Sequence, residues 1–170
     1  MTSNQSKPVL ILNSSTLIIL YELHELDLLR KIKKKFEILI PSTVAEEMRH
    51  STINLDHSSV IQVDINTIQS ELQPYTIGLG YGELGALILA HKLRGKRRVT
   101  IITDDKKARK TCRKLNINIR GTIGLIKMAY EYNIISKEQA INLINRVRET
   151  SLYITNQIIN QAIRQIEMEI

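Results

Sequence analysis

One cysteine, no tryptophan and a single phenylalanine stand in a chain of 170 residues, so neither disulfides nor aromatic packing can hold its core together. Cys112 has no internal partner for a bridge. The core must be aliphatic, built from the isoleucine and leucine that dominate a hydrophobic content of 43%. No run approaches the roughly 18 consecutive apolar residues that span a bilayer, which excludes a membrane helix. No basic segment followed by an apolar stretch and a small-residue cleavage site is visible, and the expected location is the cytoplasm. There is no HExxH and no paired cysteine, so His24, His50, His57 and His91 offer no zinc site. The glycines Gly78, Gly80 and Gly82 have neither the spacing of a dinucleotide fingerprint nor the lysine of a phosphate loop.

What is present is positive charge. Twenty-four Lys and Arg stand against 17 Asp and Glu, a net charge of +7. The cations come in bursts at Arg30 to Lys35, Arg94 to Arg98 and Lys106 to Lys114, which suits a polyanionic partner. Lys33, Lys34, Lys35, Arg97, Arg98 and Arg109 are the expected phosphate contacts. With so few aromatic rings, little base stacking is expected.

Hydrophobic periodicity divides the chain into short apolar strands alternating with helices. Strands are expected at Val9 to Leu12, Phe36 to Ile40, Val60 to Ile65, Val99 to Ile102 and Ile117 to Ile119. Helices are expected from Ser14 to near His24, from Ser42 or Thr43 through His50, over Ile68 to Leu72, Gly82 to Leu93, Lys106 to Leu115 and Thr122 to Tyr132. Thr103 and Asp104 read as caps for the fifth of these. Residues 1 to 7 carry no pattern, and two amphipathic helices, Lys137 to Glu149 and Thr155 to Glu169, close the chain. Strands that are apolar throughout belong to a parallel sheet covered on both faces, an α/β architecture. One domain is expected, with its core over 8–133 and a helical extension over 134–170.

In such sheets, ligands bind beyond the carboxyl ends of the strands. Asn13, Glu47, Glu83, Asp104 and Asp105 all fall at those exits, from four separate segments. Carboxylates crowded there repel unless a cation sits between them, and oxygen donors suit Mg²⁺ or Mn²⁺. Such an ion can activate water against a phosphodiester without a protein nucleophile.

The motifs VLILNSS (9–15), PSTVAEEM (41–48), GYGELGALILA (80–90), IITDD (101–105) with Ala108-Arg109, and GTIGL (121–125) together resemble PIN domains. The similarity is greatest to a prokaryotic subgroup with GxGE, DDxxAR and GTxG motifs. It implies a three-layer sandwich, a parallel sheet between helices, and Mg²⁺- or Mn²⁺-dependent ribonuclease activity. By position it implies Glu47, Glu83 and Asp105 as catalytic acids and metal ligands, joined by Asn13 and Asp104. Ser15 and Thr122 would support those ligands. Many such relatives are toxins held by a small antitoxin, and a homodimer is a further expectation, from the Leu17 to Tyr21 face and the C-terminal helices. Asn13 departs from the Asp usual in the family, which lowers the expected metal affinity and activity. A PIN-like module that binds RNA or protein without cutting is the competing reading.

Overall fold

The computed structural model describes residues 6–169, so the patternless segment expected at residues 1 to 7 lies mostly outside the described residues. Five parallel strands, β1 (Val9–Leu12), β2 (Glu37–Pro41), β3 (Val60–Ile61), β4 (Val99–Ile102) and β5 (Asn118–Arg120), lie in the order β3-β2-β1-β4-β5. The chain winds outward from β1 to one edge, then returns to β1 and winds to the other. The reversal falls between β1 and β4, where Val9 pairs with Val99 and Leu12 with Ile102. This is the point at which an open parallel sheet leaves a crevice at its carboxyl edge.

The two faces of the sheet are covered by different helices. Leu10, Leu12, Ile38 and Ile40 point to one core, shared with α1 (Ser14–Glu22), α2 (Asp27–Ile32), α6 (Thr122–Glu131), α7 (Lys137–Arg146) and α8 (Asn156–Met168). Val9, Ile11, Leu39, Val99 and Ile101 point to the other, against α4 (Tyr81–Leu93) and α5 (Lys106–Lys114). This alternation of apolar residues is why the strands read as unbroken hydrophobic runs. The helical extension is part of the first core, since Ala140, Ile144, Val147, Ile159 and Ile166 are fully buried.

Several local expectations are corrected. The third helix, α3 (Ser42–Glu47), stops three residues before His50, and Pro41 rather than a hydroxyl residue stands at its cap position. The strand expected over Val60 to Ile65 keeps only Val60–Ile61, and Ile65–Thr67 is a turn of 3-10 helix whose amino end Asp64 caps through Asn66 N–H. Ile68 to Leu72 forms no helix; the next regular turn is Gln73–Tyr75, with Pro74 in its first turn. Asp105, not Thr103 or Asp104, caps α5, accepting from Ala108 N–H at 2.7 Å. Helices α1, α5 and α6 end on the left-handed residues His24, Asn116 and Asn133, with φ of 57°, 54° and 57°. No helix among the described residues is long and apolar enough to cross a membrane.

Candidate functional site

β1 delivers Asn13 into the crevice, and β4 delivers Thr103, Asp104 and Asp105 beside it. Asn13 is 1% exposed and has every polar atom engaged. Its Oδ1 accepts from Ser14 N–H at 2.9 Å, which fixes which end of the amide is which, because a flipped amide would set two donors face to face. Its Nδ2 therefore donates to Glu83 Oε1 at 3.1 Å and to Thr103 Oγ1 at 3.0 Å. Glu83 comes from the first turn of α4, where a carboxylate also complements the helix dipole.

Glu47, the last residue of α3, reaches the same place from the other side. Its Oε1 accepts from Gly82 N–H at 2.7 Å and its Oε2 from Ser14 Oγ at 3.2 Å. The glycines here clear space for oxygen atoms. A Cβ on Gly82 would lie 2.4 Å from Glu47 Oε2 and 3.1 Å from Asn13 Oδ1, and one on Gly80 would lie 2.2 Å from Glu83 Oε2. Asn13, Glu47 and Glu83 thus form one unit around the amino end of α4.

Asp104 and Asp105 turn elsewhere. Both oxygens of Asp104 are taken by Thr122, Oδ1 by its N–H at 2.9 Å and Oδ2 by its hydroxyl. Ser15 Oγ accepts from Asp104 N–H at 3.1 Å, so the two expected supporting residues, Ser15 and Thr122, both act on Asp104. Asp105 gives one oxygen to its helix cap, while its N–H donates to Thr103 Oγ1 at 3.2 Å. Among the described residues, no three His, Cys, Asp or Glu side chains are gathered as a metal-binding group. Glu47, Glu83, Asp104 and Asp105 do not all meet as one such group, and each carboxylate accepts at least one N–H or O–H donor instead. The donor set is nonetheless all oxygen and still fits a hard divalent ion, with Glu83 Oε2 and Asp105 Oδ2 accepting no protein hydrogen bond among the described residues.

The expected cation contacts divide by position. Lys33 is paired with Asp56, and Arg97 with Glu37 at 2.6 Å. The Lys33 ammonium and the Ser58 donors hold the Asp56 carboxyl down to about 2. Arg97 also donates to Lys7 O, and Arg98 O accepts from Val9 N–H, so both flank the amino ends of β1 and β4. At about 3.3 Å per residue, four-residue strands separate that edge from the acidic crevice by roughly 13 Å. Of the six, only Arg109 stands at the crevice, its Nη1 3.0 Å from where a Gly121 Cβ would sit, beside Asp104. Arg113, Arg120 and Tyr153, outside the expected six, line the same concavity as Arg109. Arg113 was legible as the third member of a Lys106, Arg109, Arg113 helix stripe.

A family model described as a PIN domain matches residues 9–168. The chain belongs to the PIN domain family. Its match runs through the C-terminal helices, in keeping with the core those helices share with the sheet. PIN domains are in general nucleases, typically dependent on divalent metal ions. No curated protein matches the chain.

Proposed function

We propose that this PIN domain is a metal-dependent endoribonuclease working at the carboxyl ends of β1 and β4. The observation that carries the reading is the convergence of Glu47, Glu83 and Asn13 around Gly82 at the switch point of the sheet. Glu47, Glu83 and Asp105, with the Asn13 and Asp104 oxygens beside them, are the residues that would hold Mg²⁺ or Mn²⁺. When bound, the ion supplies an activated water and a counter-charge for the departing oxygen. The chain's own residues orient this centre: Ser14 and Gly82 hold Glu47, Asn13 holds Glu83, and Thr122 and Ser15 hold Asp104. The test is hydrolysis of a labelled RNA with Mn²⁺ and with EDTA. Wild type should cut only with Mn²⁺, and Glu83→Gln should lose at least about a hundredfold, the lower end of the range for one group acting in the reaction. Equal cutting by wild type and Glu83→Gln would place the activity elsewhere.

One observation favours binding without cutting. Asn13 Nδ2 already donates to Glu83, doing without charge what a cation would otherwise do. On this second reading the chain binds RNA in Mn²⁺ and EDTA alike and cuts in neither. The toxin role, with a small neutralising protein, extends the first reading and predicts growth arrest on expression that Glu83→Gln relieves. The surface once expected to form a homodimer is largely used inside the chain, since Leu17, Leu20, Ile159 and Ile166 are buried. Ile18 and Tyr21, 39% and 41% exposed, are what α1 leaves for a second copy.

A further inference from the structure

A broad concavity among the described residues does not lie over Glu47 and Glu83. It is an open groove of about 1030 Å³ along the edge strand β5, walled by α5 on one side and by residues 152–158 on the other. Asp104 is among its lining residues, so the groove adjoins the crevice. Lys106, Arg109, Arg113 and Arg120 line it, and none of them has an ion-pair partner among the described residues. Arg30, Lys33, Arg97 and Arg146 are ion-paired elsewhere, but what sets the groove apart is that four unpaired cations line one concavity. Unpaired guanidinium groups facing one channel favour an anionic occupant, and several in a row favour a polyanion. Lys106, Arg109 and Arg113 recur on one face of α5, a single line of charge about 10 Å long at 1.5 Å per residue. One line of charge suits one phosphate backbone. At the far wall Tyr153 is 86% exposed, the most exposed aromatic ring among the described residues, and lines the same groove. An exposed ring beside a phosphate track is a platform for an unstacked base, which only a single strand offers.

We propose that this groove is the track for single-stranded RNA, with Lys106, Arg109, Arg113 and Arg120 holding phosphates and Tyr153 stacking on a base. The track deepens the nuclease reading, since it leads a strand to the acidic crevice, but its binding test needs no cleavage. It also replaces the amino-edge cations Lys33 to Lys35, Arg97 and Arg98 as the principal contacts.

The full chain is titrated in EDTA against a fluorescein-labelled single-stranded RNA of about 12 nucleotides, within the span that grooves of this kind cover. Anisotropy is read over a range of salt. With four phosphate contacts, the slope of log K on log salt should be about −3. Arg113→Glu and Arg120→Glu should each weaken binding about tenfold or more and flatten the slope, whereas Tyr153→Ala should weaken it several-fold at unchanged slope. Lys34→Glu and Arg98→Glu, at the opposite edge, should change affinity less than about twofold. Circular dichroism melts establish that each variant is folded. Loss of binding in Lys34→Glu and Arg98→Glu with the groove variants unchanged overturns the proposal. Tighter binding to a duplex of the same length overturns the single-stranded assignment. Absence of RNA binding by wild type also overturns it and leaves strand addition by a peptide at β5 as the use of this edge. The same variants with Mn²⁺ separate the two claims. Binding in the groove without cutting keeps the track and removes the nuclease, while cutting with unaltered affinity in the groove variants does the reverse.

Discussion

Asn13 decides the chemistry of the crevice. An Asp there would meet Glu83 with a second carboxylate where the amide now donates at 3.1 Å, and it would leave Thr103 Oγ1 without that donor. Asn13→Asp should therefore cost the metal-free protein about 1–3 kcal/mol, the range for a buried partner left unsatisfied, and Mn²⁺ should restore much of it. Urea unfolding in EDTA and in Mn²⁺ measures both quantities; equal stability of wild type and variant in EDTA would mean the amide bridge carries no weight. Asp105 makes the opposite case. Its capping bond to Ala108 N–H means that Asp105→Ala should lose about 1 kcal/mol in EDTA and more in Mn²⁺, where a metal ligand goes with the cap, while Asp105→Asn keeps the cap. A stabilisation by Asp105→Ala in EDTA would show that repulsion among the acids outweighs the cap. Cys112 is buried, and burial pushes its thiol up from 9.0 to about 11. A group raised on folding lends stability that is complete below its unfolded value and fades as pH rises through the folded one. Stability should thus fall between about pH 9 and pH 11, and at neutral pH a thiol reagent should label Cys112 only on unfolding, at the rate the unfolding kinetics set.

At the scale of elements, the tightest contact at the site is between α3 and α4. A Cβ on Gly85 would lie 1.9 Å from Thr43 Oγ1 and 2.9 Å from both Thr43 Cβ and Cγ2, so turning the threonine does not clear it. Alanine would improve helix propensity by about 1 kcal/mol, but overpacking of a buried contact costs about 1–3 kcal/mol. Gly85→Ala should lower the melting temperature and disturb Glu47, which α3 carries; a rise in melting temperature would show that α3 moves aside freely. The strands β1, β2 and β4, with α4 and α6, were legible because each has a long apolar stripe or an unbroken apolar run beside a cap or breaker, and α5 because capping residues precede a run of good helix formers. The stretch from Ser51 to Gly80 was not, because its 3-10 turns are set by single side chains such as Asp56 and Asp64, which leave no periodicity. The end of α3 was misplaced for a related reason, since Glu46 to His50 has good helix formers and no breaker. The acidic residues could be named from the strand exits, yet not their division into an Asn13, Glu47, Glu83 unit and an Asp104, Thr122 pair. That division depends on which backbone N–H each carboxylate meets.

For the whole molecule, charge and topology act together. The sheet sets Asn13, Glu83 and Asp104 at its carboxyl edge and the ion pairs of Lys33 and Arg97 at the other, and α5 and β5 supply a basic groove along β5 that residues 152–158 wall on the far side. Net charge of +7 alone did not distinguish these two basic regions, because it carries no information about which cations are already paired. The proposed chemistry requires that the crevice bind a divalent ion through Glu83. Thermal unfolding of wild type and Glu83→Gln, each with EDTA and with millimolar Mn²⁺, tests this most directly, because an ion that binds only the folded chain raises its melting temperature. Wild type should show a Mn²⁺-dependent rise that Glu83→Gln loses. A melting temperature that Mn²⁺ leaves unchanged in wild type, or raises equally in both, would contradict it.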